Sequence, residues 1–257
     1  MKLAQQYIAF RTILTKEILR FARIWVQTVV PPAITTTLYF VIFGNLIGSR
    51  IGKMDGYAYI DYIVPGLILM AVITNAYSNV VSSFYSAKFQ KHVEEMLISP
   101  TPNGIILAGY IAGGVARGVC VGIVVTIISM FFTDLKIENW GISFLVVVLT
   151  ATLFAAAGFI NAVYAKSFDD ISIIPTFVLT PLTYLGGIFY TIKMLPEFWQ
   201  TASLANPILY MINAFRYGIL GASDIDIGLA FSIILIFIVL LIAWSMQLLN
   251  KGVGLRN

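Results

Sequence analysis

The chain has 257 residues, of which 59% are hydrophobic and only 11% are charged, and its mean hydropathy is +0.91. Because a soluble domain carries about 25% charged residues, this composition excludes a soluble globular protein and predicts a polytopic membrane protein. The net charge is +4, and we interpret the basic residues as determinants of membrane topology and as contacts to lipid headgroups. We therefore expect membrane lipid as a partner and no nucleic acid.

Apolar runs that are long enough to cross a bilayer, about 20 residues each, recur along the whole chain. They predict an all-α membrane protein with six transmembrane helices, built as one domain over residues 1–257. The predicted spans are residues 24–47, 62–85, 105–132, 142–164, 171–191 and 227–248.

Residues 1–23 precede the first span and have the pattern of an interfacial helix. Apolar side chains recur at helical spacing, and basic side chains form a second stripe. The apolar set is Tyr7, Phe10, Leu14, Ile18 and Phe21, and the basic set is Lys16, Arg20 and Arg23. We expect the apolar side to lie in the lipid and the basic side to face anionic headgroups, with an ordinary charged lead-in as the alternative.

The loop after the first span holds a candidate for a nucleotide-binding motif. Gly52-Lys53 resembles the end of a phosphate loop, but position 47 is Ile instead of Gly, and Met54 replaces the required Ser or Thr. We therefore expect no ATP site and no cofactor in this chain.

The second span is unusually polar for a helix that faces lipid. Asn75, Tyr77 and Asn79 lie near its middle, together with several Ser and Thr residues. Polar groups within a span face other helices or a water-filled cavity. These three residues are therefore predicted either to bond to neighbouring helices or to line a substrate path.

The third span combines small residues with a charge. Gly114, Gly118 and Gly122 are spaced four apart on one face, which lets another helix approach closely. Arg117 lies between them, well inside the apolar run, where a charge is costly and normally faces a partner or a cavity. We expect it either to contact substrate or a gate, or to pair with a carboxylate or backbone carbonyls.

Between the fifth and sixth spans, residues 195–221 are too apolar for a loop and too interrupted for a plain spanning helix. Pro196 and Pro207 suit the first turns of two short helices, because a helix needs no N–H group there. We predict a re-entrant helical hairpin on the outer side of the membrane. Tyr210 and Arg216 lie on its second helix and are predicted to take part in an outer gate.

The distribution of basic residues predicts that both termini are cytoplasmic. With that orientation ten basic residues lie inside and five outside, and Arg117 is left within the membrane. The inside set is Lys2, Arg11, Lys16, Arg20, Arg23, Lys88, Lys91, Lys166, Lys251 and Arg256; the outside set is Arg50, Lys53, Lys136, Lys193 and Arg216.

The stretch from Leu179 to Arg216 also resembles a family signature. Its matching positions are Leu179, Leu182, Leu185-Gly186, Ile188, Leu195-Pro196, Pro207-Ile208, Tyr210 and Arg216. This pattern resembles the carboxy-terminal signature of ABC-2 type transporter permeases, the membrane subunits of one class of ATP-binding-cassette exporters. The whole chain looks closest to the bacterial inner-membrane permeases of the YadH-like group.

The resemblance implies two kinds of partner, namely a second copy of the chain and a separate cytoplasmic ATPase subunit that binds ATP and Mg. It also implies that a charged helix within residues 86–103 is the coupling helix that docks on this ATPase. The positions that match the coupling pattern are Glu94, Glu95, Leu97 and Pro100. The family has an interfacial helix before its first span as well.

The leading function is therefore the permease subunit of an ATP-driven exporter in the bacterial inner membrane. The resemblance implies an unidentified amphiphile, drug or lipid-linked glycan as the substrate, because related permeases export molecules of these classes. An ion-coupled secondary transporter is the alternative, although such proteins usually carry acidic residues within their spans. A membrane enzyme or scaffold is the third class, and it is disfavoured because His92 and Cys120 are the single His and the single Cys, which leaves little material for catalysis or a metal site.

Overall fold

The computed structural model describes residues 2–254, so Arg256 of the predicted cytoplasmic set lies outside the described part. The regular secondary structure of the described chain is helical except for one short β-hairpin, β1 and β2, after the second helix. The helices are α1 Leu3–Arg23, α2 Trp25–Ile51, α3 Tyr59–Phe89, α4 His92–Ile98, α5 Asn103–Ser129, α6 Trp140–Tyr164, α7 residues 170–184, α8 Glu197–Leu204, α9 Pro207–Leu220 and α10 Ile227–Lys251; the strands are β1 Lys53–Met54 and β2 Tyr57–Ala58.

Five helices of the described chain, α2, α3, α5, α6 and α10, are long and apolar enough to cross a membrane. The predicted fifth span, residues 171–191, differs because α7 ends at Tyr184 and is π-helical at Pro175–Leu179. Fifteen helical residues reach about 22 Å, against a hydrocarbon thickness of about 30 Å. The chain turns after α7, where Gly187 has φ +77°. The structure therefore supports an all-α membrane protein, and the six-span layout stays a prediction.

Contacts between helix ends define two ends of the molecule. At one end, which we call the α4 end, Lys88 Nζ donates to the carbonyls of Val163 and Ala165, and the side chains of Asn103 and Asn250 are hydrogen-bonded. At the opposite end, which we call the hairpin end, the Tyr57 hydroxyl donates to the Leu220 carbonyl. The carboxyl-terminal end of α10 thus lies at the same end of the molecule as α4.

Helix α3 is the centre of the fold, packed between α5 and α6. The predicted glycine face of α5 is confirmed, since a Cβ at Gly114 would lie 2.7 Å from Val80 and one at Gly118 would lie 3.1 Å from Ala76. On α6, a Cβ at Gly158 would lie 2.6 Å from the backbone carbonyl oxygen of Tyr77. Close backbone approach therefore fixes the positions of these three helices.

Candidate functional site

A cleft of about 320 Å³ with a mixed polar and apolar lining lies between α2, α3 and α5. Its polar lining comes from one face of α3, where residues four apart point the same way, and from facing positions on the other two helices. The polar residues are Gln27, Thr35, Thr36, Tyr39, Thr74, Asn75, Ser78 and Arg117, and the apolar ones are Pro31, Pro32, Leu67, Met70 and Ala71. Gln27, Thr35 and Thr74 are exposed, so the cleft opens to the outside of the described chain.

Arg117 is the charge of this cleft, and it lies near the middle of α5. Its Nε donates to Oδ1 of Asn75 over 3.3 Å, while Nδ2 of Asn75 donates to the Ala71 carbonyl at 3.0 Å. The second bond fixes the orientation of the amide. The structural partner is thus a side-chain amide, and the expectation of a carboxylate or backbone carbonyls is wrong.

Among the predicted path residues, the structure brings Asn75 and Arg117 together and places the others elsewhere. Tyr77 is 2% exposed and packs on α6, because it lies on the opposite side of α3 from the cleft. Asn79 is also buried and bonds to α1. Neither side chain lines the cleft.

The partner of Asn79 is a buried carboxylate outside the predicted site residues. Glu17 on α1 is fully buried, and Ser83 donates to its Oε1 at 2.6 Å. Arg20 Nε lies 3.5 Å from Glu17 Oε2, and Arg20 also donates to Asn79 at 2.8 Å. The prediction that Arg20 faces lipid headgroups is therefore wrong. The sequence signal for this network is the oppositely charged pair Glu17 and Arg20, which lie three residues apart beside the apolar stripe of α1.

Helix α4 is a short surface helix that is anchored by its apolar side. Val93 is buried and Leu97 packs on the main hydrophobic core, whereas Glu95 and Pro100 are exposed and Glu94 is partly buried. Of the predicted coupling residues, Glu95 and Pro100 thus lie on the surface, whereas Leu97 packs α4 against the core. A residue outside that set, Ile98, is 86% exposed and is the largest apolar contribution of α4 to the surface.

Helices α8 and α9 form a hairpin whose turn is tied to α7. Asn206 caps α9 by accepting from the Ile208 N–H, and its Nδ2 donates to the Leu182 carbonyl at 2.6 Å. The Tyr210 hydroxyl donates to the Leu204 carbonyl at 2.7 Å, which joins the two helices of the hairpin. Tyr210 is 7% exposed, so this residue holds the hairpin together in the conformation described.

Arg216, the other residue predicted to take part in the outer gate, is buried at the hairpin end. Its Nη2 donates to the Gly187 carbonyl at 2.7 Å, and its guanidinium lies 3.9 Å from the centroid of the Tyr62 ring. It borders a pocket of about 290 Å³ that also contains Lys193 and Asp224, whose charged atoms are 3.8 Å apart. Arg216 therefore links α9 to α3 and to the turn after α7.

Comparison with known proteins decides the family to which this arrangement belongs. Residues 8–220 match the family described as ABC-2 type transporter. The chain belongs to the ABC-2 type transporter family. This ABC-2 family member is 58% identical over 253 residues to the inner membrane transport permease YadH of Escherichia coli strain K12, with 98% of each chain covered. It is also 25% identical to nodulation protein J of Rhizobium leguminosarum bv. viciae over 219 residues, with 83% of each chain covered.

These similarities confirm the resemblance drawn from the signature between Leu179 and Arg216. They support a multi-pass inner-membrane protein that acts as a transport permease, and they favour the ABC permease over the ion-coupled alternative. In this ABC-2 family member, the cleft around Arg117, the surface of α4 and the hairpin of α8 and α9 are the candidate functional elements.

Proposed function

We propose that the chain is the membrane-spanning subunit of an ATP-driven exporter in the bacterial inner membrane, with both termini cytoplasmic. A separate ATPase subunit binds ATP and Mg at the α4 end, and a second copy of the chain completes the transport path. One observation carries the proposal: helix α4 is exposed and lies at the same end of the molecule as the carboxyl-terminal end of α10. The chain that presents this helix belongs to the ABC-2 type transporter family.

The surface of α4 suits a docking role because it is exposed and rigidly supported. Ile98 and Phe89 are 86% and 66% exposed, and Glu95 lies on the same short segment. Behind this surface, Val93 is buried, and Lys88 ties the end of α3 to the end of α6. A movement imposed on α4 by the ATPase would therefore pass directly into α3, which lines the cleft.

A second copy is proposed to cover the exposed side of α2 and α7. The two helices are joined by a hydrogen bond of 2.8 Å between the hydroxyls of Tyr39 and Tyr184. Together they present large apolar side chains, including Ile34 at 54% exposed and Phe177 at 73% exposed. Tyr39 also lines the cleft, so a path between two copies would run beside Arg117.

The test is a double charge reversal on α4, Glu94→Lys with Glu95→Lys, in the complex purified with its ATPase subunit. We expect loss of substrate-stimulated ATP hydrolysis while the permease remains folded, because polar exchange on a surface helix has little effect on folding. The matched control is Glu197→Lys, an exposed carboxylate at the start of α8. Stimulation at the parent level in the double variant would remove α4 as the docking element.

The substrate is proposed to be an amphiphile, with drugs and lipid-linked glycans as candidate classes. Stimulation of ATP hydrolysis in the purified complex, screened across lipids and amphiphilic drugs, identifies it. A complex that hydrolyses ATP but is stimulated by no amphiphile would contradict this substrate class.

A further inference from the structure

The charge of Arg117 has no counter-charge at its own depth. Arg117 is 14 residues beyond the first residue of α5, which has 27 residues, so it lies about halfway along this helix. Among the described residues, the ion pairs are Lys16 and Arg20 with Glu17, and Lys193 with Asp224, and none includes Arg117. A charge at this depth is costly unless it is paired or solvated in a cavity.

No acidic side chain of residues 2–254 is placed to supply the missing carboxylate. Of its 12 acidic residues, Glu17 is engaged by Ser83 and Arg20, and the others lie in loops, in α4 or within the first three residues of a longer helix. A second copy placed alongside carries its carboxylates at the same depths. The proposed ATPase subunit would lie at the α4 end, away from the middle of α5. The charge of Arg117 is therefore balanced either by water in the open cleft or by an anionic ligand.

The cleft has the chemistry that an oxyanion requires. A guanidinium is a planar fork of donors that binds phosphate bidentately, and in Arg117 only Nε is bonded, to Asn75. Around it stand hydroxyl and amide side chains, among them Ser78, Thr35 and Gln27. A volume of about 320 Å³ is at the lower end of the range for ligand sites, which suits a small headgroup better than an entire lipid.

Apolar surface continues from the cleft along α2. Leu38 is 53% exposed and precedes the lining residue Tyr39, and Pro31, Pro32 and Met70 give the cleft itself an apolar lining. A molecule with its charged head at Arg117 therefore has apolar surface for its tail within the cleft and beside Tyr39. We propose that this cleft binds the phosphate of a phosphate-bearing amphiphile, with Arg117 as the counter-charge. This inference rests on the proposed export function and assigns the chemical class of its substrate.

The test compares three probes on the purified full chain in neutral detergent, namely dioctanoyl phosphatidic acid, dioctanoyl glycerol and sodium phosphate. Titrations by microscale thermophoresis should show phosphatidic acid binding at least tenfold more tightly than either other probe. Arg117→Gln should weaken phosphatidic acid binding at least tenfold and leave dioctanoyl glycerol binding unchanged. Arg50→Gln, an exposed arginine at the hairpin end, is the matched control and should bind as the parent does.

A second variant keeps the test decisive if Arg117→Gln fails to fold. Asn75→Asp has nearly the same shape and places a carboxylate where the amide oxygen lies 3.3 Å from Arg117 Nε. It pairs with the guanidinium but loses the bond to the Ala71 carbonyl, so we expect a similar loss of phosphatidic acid binding with an unfolding midpoint close to the parent's. Simple loss of packing would not produce that combination.

Three results would overturn the inference. Phosphatidic acid could bind no more tightly than dioctanoyl glycerol, which would leave Arg117 merely hydrated. Both variants could bind phosphatidic acid as the parent does, which would place the phosphate elsewhere. Sodium phosphate could bind as tightly as phosphatidic acid, which would assign the cleft to a free anion. These titrations need only the isolated chain, so they do not depend on the export proposal. That proposal would fail in a separate experiment, if the complex purified with the ATPase subunit did not hydrolyse ATP.

Discussion

Removing the carboxylate of Glu17 should detach α1 from the helix that centres the fold. Ser83 donates to Glu17 Oε1 at 2.6 Å, and Arg20 Nε lies 3.5 Å from Oε2, with the Glu17 side chain fully buried. Breaking a buried ion pair costs about 3–5 kcal/mol. Arg20 keeps two bonds of 2.8 Å to Asn79, so we take the lower limit, about 3 kcal/mol, for Glu17→Ala.

Glu17→Gln removes the charge of this side chain and keeps its shape. Its amide oxygen still accepts from Ser83, but its NH2 replaces Oε2 opposite the N–H groups of Arg20 and Asn79, which lose their acceptor at a cost of about 2 kcal/mol. At roughly 2–4 °C per kcal/mol for a chain of this size, the alanine variant should unfold roughly 6–12 °C below the parent and the glutamine variant roughly 4–8 °C below it.

The assay is thermal unfolding in detergent, followed by loss of the monodisperse peak in size-exclusion chromatography. Glu95→Ala is the control, because this carboxylate is exposed and its removal should leave the unfolding midpoint close to that of the parent. If Glu17→Ala unfolds within 2 °C of the parent, the network does not hold α1 in place and the reasoning is refuted.

Three further predictions concern topology, packing and the hairpin. For topology, single cysteines replace Lys2, Lys53, Lys136 or Lys251 in a Cys120→Ala background. In intact cells, an impermeant thiol reagent should label only the cysteines at Lys53 and Lys136. Labelling at Lys251 would exclude a cytoplasmic carboxyl terminus. Gly158→Ala forces a Cβ against a backbone carbonyl 2.6 Å away and should destabilise the fold by about 1–3 kcal/mol in thermal unfolding, whereas Gly104→Ala, with its nearest contact at 3.9 Å, should not. A cysteine at Tyr210 should label poorly without nucleotide and better in the ATP-trapped complex; equal labelling would make the hairpin a static plug.

The sequence by itself determined the features that depend on local composition. Hydropathy located the five long apolar helices to within a few residues of their observed ends, since length and polarity suffice for this. The predicted hairpin breaks correspond to Pro196, which precedes α8, and Pro207, which begins α9, because a proline lacks the N–H that a helix interior needs. The spacing of Gly114 and Gly118 likewise located a close helix contact.

Only the tertiary structure decided which side chains meet, because a helix face acquires a role from the neighbour that covers it. Asn75 and Tyr77 are two residues apart in sequence, yet one binds Arg117 in the cleft and the other packs on α6. Arg20 has the sequence pattern of a headgroup contact but turns inward, because Glu17 and Asn79 offer it buried oxygen atoms. The pairs Asn75–Arg117, Arg20–Asn79 and Glu17–Asn79 join different helices and are 42, 59 and 62 residues apart, and no local pattern specifies such contacts.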